Sequence, residues 1–142
     1  MWNEIVNEVE LKSFMEVFGN FHDSCIKEFK YISGAFVNED LSMYPINSRR
    51  NLKIIFQRQV HNPAVIEMEF IGVLQLKIFP VEDNYTCEID EATMGICDNY
   101  IFWCDEGGVA EIDVSNYKGS LICSSMVKWR IADEYIGNKE IY

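Results

Sequence analysis

From Ile66 to Phe79 the chain alternates: Ile66, Met68, Phe70, Leu74, Leu76 and Ile78 all fall on even positions. Successive side chains of a strand point to opposite faces, so this spacing predicts a strand with one buried face. The odd positions mix Glu67, Glu69, Gln75 and Lys77 with Val65, Ile71, Val73 and Phe79, so the second face is polar only at intervals. Gly72 breaks the buried row. A continuous strand of this length would reach roughly 45 Å, well beyond the usual span, so a bend, bulge or tight turn is expected at Gly72. Any fold of this chain has to be arranged around that strand.

Upstream, residues 3 to 18 predict one helix, with Ile5, Val6, Val9, Phe14 and Phe18 at helical spacing and Gly19 as its stop. Phe21-His22-Asp23-Ser24 then marks a helix-to-strand junction, followed by an extended stretch from Cys25 to Ser33. Phe36 to Tyr44 predicts an irregular strand, and Pro45 to Ser48 a loop. Asn51 to Val60 alternates with Leu52, Ile54 and Phe56 inward, and His61-Asn62-Pro63 turns it into the long strand as an antiparallel hairpin.

Downstream of Pro80, short strands are expected near Thr86 to Asp90 and Thr93 to Cys97. Tyr100 to Cys104 is almost wholly apolar, the pattern of a strand covered on both faces. Asp105-Glu106-Gly107-Gly108 is a turn signal, with Val109 to Val114 returning as a hairpin. The last strand is Leu121 to Ile131, with Leu121, Cys123, Val127, Trp129 and Ile131 on one face and Lys128 and Arg130 on the other. The tail after Asp133 is expected to be loosely held. One helix and about eight strands make an α+β protein in one domain, residues 1–142. Its N-terminal helix is expected to pack on a curved, mainly antiparallel sheet, or on two packed sheets.

A hydrophobic fraction of 49% in 142 residues is enough for a single core. The start, Met1-Trp2-Asn3-Glu4, has no basic region followed by an apolar run, and no window approaches a membrane span. A cytoplasmic protein without a membrane partner is expected. Cys25, Cys87, Cys97, Cys104 and Cys123 show no Cys-x-x-Cys spacing, which fits reduced thiols, mostly in the core, and neither a disulfide framework nor a zinc site.

The net charge of −11 is concentrated in one stretch. Glu82, Asp83, Glu88, Asp90, Glu91, Asp98, Asp105, Glu106, Glu111 and Asp113 lie in a span without Lys or Arg, while the rest of the chain has 13 acids against 12 bases. Such a field disfavours nucleic acid and allows a basic protein partner or a cation. Tyr85, Tyr100, Phe102 and Trp103 are interleaved with these acids, as rigid anchors would be within a negative rim. The partner-binding set read from this pattern is Glu88, Asp90, Glu91, Tyr100, Trp103, Asp105, Glu106, Glu111 and Asp113. The competing reading places Phe102 or Trp103 in the core and leaves the acids to solubility.

Signals for catalysis are sparse. His22-Asp23 resembles the metal pair of the His-Asp phosphohydrolases, which need further histidines, and the chain has only His22 and His61. Locally, Asp23 or Ser24 is expected to satisfy backbone donors at the junction. Glu67 and Glu69 followed by Gln75-x-Lys77 resemble the carboxylate and lysine of metal-dependent nucleases, without the upstream Asp-bearing strand. No Gly-rich phosphate loop, Gly-x-Ser-x-Gly or calcium-binding hand is present. The alternatives to a binding protein are a metal-dependent hydrolase centred on His22, Asp23, Glu67 and Glu69, and a structural domain that oligomerises through Tyr100 to Cys104.

Phe18 to Ile26, including Phe21-His22-Asp23-Ser24, taken with Arg50-Asn51-Leu52 and Lys128-Trp129-Arg130, resembles a set of small uncharacterised bacterial proteins. These carry a Phe-His-Asp-Ser motif after a first helix, and some are similar to predicted immunity proteins of polymorphic toxin systems. The resemblance implies a cytosolic α+β protein that neutralises a cognate toxin domain by stoichiometric binding; from the sparse motifs, neither catalytic residues nor a cofactor is expected.

Overall fold

The alternating stretch forms a single strand, β6 (Val65–Lys77), in the middle of a seven-stranded sheet. The computed structural model describes residues 1–142 and is α+β. In chain order the other elements are β1 (Asn3–Ile5), helix α1 (Glu8–Val17), β2 (Ser24–Ile32), β3 (Phe36–Val37), β4 (Met43–Tyr44) and β5 (Asn51–Arg58). After β6 come β7 (Thr93–Ile96), β8 (Ile101–Cys104) and β9 (Leu121–Ile131). The sheet runs β2-β5-β6-β9-β8-β7, with every named pair antiparallel. Strand β1 continues the edge of β9 beyond β8: Asn3 to Ile5 pair with Val127 to Trp129, while Ile101 to Cys104 pair with Leu121 to Ser124. Strands β3 and β4 form a separate two-stranded hairpin.

Gly72 does not end β6 but locally interrupts the row that faces the core. It has a left-handed φ of +66°, and a register shift against β9 follows between Val73 and Gln75. Ile66, Met68 and Phe70 are buried before it and Val73 after it, so Leu74, expected inside, is exposed. Leu74 is the extra residue of the bulge that follows, and beyond it Leu76 and Ile78 pack against the core cluster, as their even positions predict. The β5–β6 hairpin is present as expected, with Asn51 opposite Ile71 and Gln57 opposite Val65.

The helix is shorter than its apolar spacing predicts. Asn7 caps it by accepting from Glu10 N at 2.9 Å, while the Glu10 carboxylate accepts from Val6 N at 2.8 Å. That cap sets the start at Glu8, and Asn3 to Ile5 are free to pair with β9. Val6 and Val9, expected on the buried face, are exposed; Phe14 is buried as expected, and Leu11 joins it. Together with Phe18 and Phe21 they pack against Phe56, Met68, Trp103 and Val127 in the largest core cluster, on one face of the sheet.

The opposite face is covered in two places. Residues 109–117 pack Val109, Val114 and Tyr117 on Phe102, Cys104, Leu121 and Cys123. This segment was expected to return as a strand, yet Glu111–Asn116 is a 3-10 turn, because both edges of β8 are already occupied, by β7 and β9. At the other end, Tyr135 and Ile141 cover Ile55, Ala64, Val65 and Ala132. The C-terminal tail is therefore docked rather than loose: Glu28 Oε1 accepts from Ile141 N and Tyr142 N, both at 2.7 Å, and Gln57 Nε2 donates to Tyr135 O and Gly137 O. Thr86 to Asp90, expected as a strand, contributes only an isolated bridge between Ser24 and Ile89. All five cysteines are free; Cys104 and Cys123 are buried, Cys25 and Cys97 half-buried, and Cys87, against expectation, is exposed. No helix is long and apolar enough to cross a membrane.

Candidate functional site

After α1 the backbone makes a tight knot. Gly19, Asn20, Phe21 and Asp23 all have positive φ, which is costly for a residue as bulky as phenylalanine. Burial outweighs that cost: the Phe21 ring meets Phe18, Phe56, Trp103 and Phe14 edge-on at 4.9–5.9 Å between centroids. Ser24 is also buried and donates its hydroxyl to Phe21 O at 2.6 Å. Phe21 and Ser24 are thus structural members of the motif. His22 and Asp23 are left on the surface.

His22 Nδ1 donates to Asp90 O at 2.8 Å, and its Nε2 lies 3.3 Å from Asp23 Oδ2. The backbone carbonyl of Asp90 and then the charge of Asp23 raise the pKa of the imidazole. Glu88 joins this group: its contact with the Asp23 carboxylate and the repulsion between the two raise its pKa. One potential ligand atom from each of His22, Asp23 and Asp90 lies within 4.8 Å of the others, the only grouping in the chain that could hold a metal ion. An open cleft of about 400 Å³ adjoins it, lined by Asp23, Cys25, Arg58, Cys87 and Glu88 among others. Burial raises the Cys25 thiol, so it is held in the protonated, weakly nucleophilic form.

Glu67 and Glu69 do not converge on this group. They project from the other face of β6, where Glu67 accepts from Arg130 Nε at 2.8 Å and from the Tyr142 hydroxyl at 2.5 Å. Glu69 pairs with Lys128 at 3.0 Å and accepts from Asn51 at 2.6 Å. The four residues of the alternative metal-dependent hydrolase reading are therefore not brought together. Spacing carried a signal for these pairs, since Glu67-x-Glu69 matches Lys128-x-Arg130 across antiparallel strands.

The acidic stretch separates by role. Trp103 is a correction: it is 0% exposed, at the centre of the core, and cannot meet a partner. Burial of Ile101 to Cys104 and the occupied edges of β8 likewise close it as a subunit interface. Tyr100 is half-buried against the second cluster, where contact with Cys97 and then burial push its hydroxyl up to about 12. Asp105 is committed internally, accepting from the Tyr117 hydroxyl and from Ser120 N at 3.1 Å. Glu88 and Asp90 stand at the His22 junction, and Glu91 lies over Gly107, where a β-carbon would meet its carboxylate at 2.5 Å. Glu106 is exposed on the turn, and Glu111 and Asp113 on the 3-10 turn. Nine of the ten acids are exposed and none forms an ion pair with Lys or Arg. Tyr85 is the large aromatic that remains exposed among them.

No protein-family model matches the chain, and neither a curated protein nor a solved structure matches it.

Proposed function

We propose that the chain is a non-enzymatic binding protein whose acidic end receives a basic protein domain, a cognate toxin domain that it neutralises by occupying it. The observation that carries this reading is the run of ten carboxylates from Glu82 to Asp113, nine of them exposed and none paired with Lys or Arg. Carboxylates gathered without counterions repel one another in the free protein. A cationic surface relieves that repulsion, and the field speeds encounter well above the roughly 10⁵–10⁶ M⁻¹s⁻¹ of neutral partners. Glu88, Asp90, Glu91, Glu106, Glu111 and Asp113 make up the contact, with Tyr85 as its aromatic anchor.

The test is stopped-flow association with the basic C-terminal toxin domain encoded beside this gene, at low and high salt. Glu106→Lys, Glu111→Lys and Asp113→Lys together should slow association at low salt by about tenfold or more and flatten its salt dependence. A genomic neighbourhood without such a toxin, or association indifferent to the three reversals at every salt concentration, overturns the reading.

A further inference from the structure

Between β2 and β5 the chain leaves the sheet as an arm, and every residue from 35 to 49 is exposed. Its paired portion is short, with Phe36 opposite Tyr44 and Val37 opposite Met43. The tip is shaped from within: Asn38 N donates to Ser42 O at 2.8 Å, and the Asp40 carboxylate accepts from Ser42 N at 2.9 Å and from its hydroxyl. Backbone hydrogen bonds join it to the body at its root, where Arg49 N donates to Ser33 O at 3.0 Å.

Six large apolar side chains ride on this arm. Phe36, Val37, Leu41, Met43, Tyr44 and Ile46 are each between 48% and 82% exposed. Phe36 and Tyr44 stack, with centroids 4.8 Å apart and rings 12° from parallel. A two-stranded hairpin is marginal by itself in water, and an apolar patch of this kind marks a contact surface. Phe36 and Tyr44 point to one face of the hairpin and Val37 and Met43 to the other. At roughly 200 Å² per large side chain, the exposed fractions of the two faces together amount to on the order of 700 Å², so an arm clasped on both faces approaches the roughly 800 Å² each partner contributes to a standard interface.

Charge along the arm selects the occupant. Glu39 and Asp40 are at the tip, Arg49 and Arg50 at the root, and no other charged residue lies between Gly34 and Arg50. Neither Glu39 nor Arg49 has an ionic partner within the chain. The arm is neutral on a protein of net charge −11, so it is where two copies meet with least repulsion. Two arms laid antiparallel about a two-fold axis set each acidic tip against the other's basic root, with the apolar side chains packed between. That arrangement is self-complementary and closed, as an isologous contact requires.

We propose that the arm is a dimerisation element and that its occupant is the same arm of a second copy of this chain. The proposal does not rest on the acidic end, which is built around β7 and β8 at the opposite end of the sheet order. Sedimentation velocity on the full chain from about 1 to about 200 μM tests it. The wild type is expected to be dimeric in the upper part of that range. Leu41→Asp with Met43→Asp should be monomeric throughout, with a melting curve unchanged from that of the wild type at the lowest concentration, where both are monomeric, because both side chains are exposed. Glu39→Arg alone should raise the dimer dissociation constant about tenfold or more by placing like charges together, and adding Arg49→Glu should restore it. A wild type that stays monomeric at the highest concentration, assembly that grows beyond the dimer, or a reciprocal swap that recovers nothing would overturn the proposal.

Discussion

Replacing Arg130 by Met should destabilise the fold by about 3 kcal/mol. The Glu67 and Arg130 side chains are 6% and 21% exposed, and their ion pair spans 2.8 Å. Removing the guanidinium leaves Glu67 charged inside the protein, an event that costs about 3–5 kcal/mol. The lower end applies because the Tyr142 hydroxyl still donates to the other carboxylate oxygen at 2.5 Å. The accompanying loss of the Arg130–Glu134 pair adds little, since Glu134 is half-exposed. With a urea dependence of roughly 2 kcal/mol/M, the unfolding midpoint should fall by about 1.5 M. The second half of the experiment adds Glu67→Met. With no carboxylate left to strand, the double variant should recover at least half of the loss, less the hydrogen bond Tyr142 gives up. A single variant that loses under about 1 kcal/mol, or a double variant no more stable than the single, would refute the argument.

Three further perturbations isolate other elements. Gly72→Ala should cost about 1–3 kcal/mol in thermal unfolding, because φ is +66° and the added β-carbon would stand 3.0 Å from Ser125 Oγ. Glu28 should act as a pH-dependent clasp on the tail. The hydrogen bond from Lys27, with those from Tyr142 N and Ile141 N, holds its carboxyl below the ordinary range. Its stabilisation is therefore complete above about pH 4.3 and lost as pH falls through the folded value. Hydrogen exchange at the Ile141 and Tyr142 amides should accelerate only in acid, and Glu28→Gln should accelerate it at pH 7; equal protection in both proteins would remove the clasp. His22 should titrate above the ordinary 6.5 by NMR, and Asp23→Asn should lower its midpoint only in part, since the Asp90 carbonyl contributes most. The sign is opposite to that of Glu28: the contribution of His22 is complete below pH 6.5 and fades as pH rises through the folded value. A variant whose His22 midpoint does not move would exclude the Asp23 charge as a cause.

Period-two alternation made the long central strands legible, because a strand buried on one face writes its orientation directly into the sequence. β5, β6 and β9 span the residues the spacing predicts, but β9 does not keep one face: Leu121 and Cys123 pack on the side opposite to Val127 and Trp129, and Ile131 is exposed. Alternation cannot report what covers the second face, where Glu67, on a row polar only at intervals, is 4% exposed. Tyr100 to Cys104 shows the same limit. An apolar run predicts burial without choosing which aromatic reaches the surface, so Trp103 went to the core. The returning strand at Val109 to Val114 failed for a topological reason. β9 arrives from later in the chain and takes the edge of β8 that a local hairpin would have used. The docked tail was hidden because its contacts are carboxylate-to-backbone bonds across more than 100 residues, from Glu28 to Ile141 and Tyr142.

The Phe21-His22-Asp23-Ser24 block and the acidic stretch, separate in the sequence, form one unit in the fold. Ala92 N donates to Asn20 O at 3.0 Å, Ile89 N to Ser24 O at 2.7 Å, and the His22 ring to Asp90 O. These three bonds hold Asp90 and Glu91 between them and Glu88 beside them, three of the carboxylates assigned to partner contact. The left-handed run from Gly19 to Phe21 turns the chain so that Phe21 plugs the core while Asn20, His22 and Ser24 present their polar groups to residues 89–92. Mutual repulsion among these acids would otherwise splay the segment from the sheet, as no Lys or Arg pairs with any of them. The cost of positive φ at Phe21 is thus offset by burial on one side, and it holds an acidic surface in place on the other. On this argument the motif contributes position rather than chemistry, which is why its most deeply buried members are an aromatic ring and a serine hydroxyl.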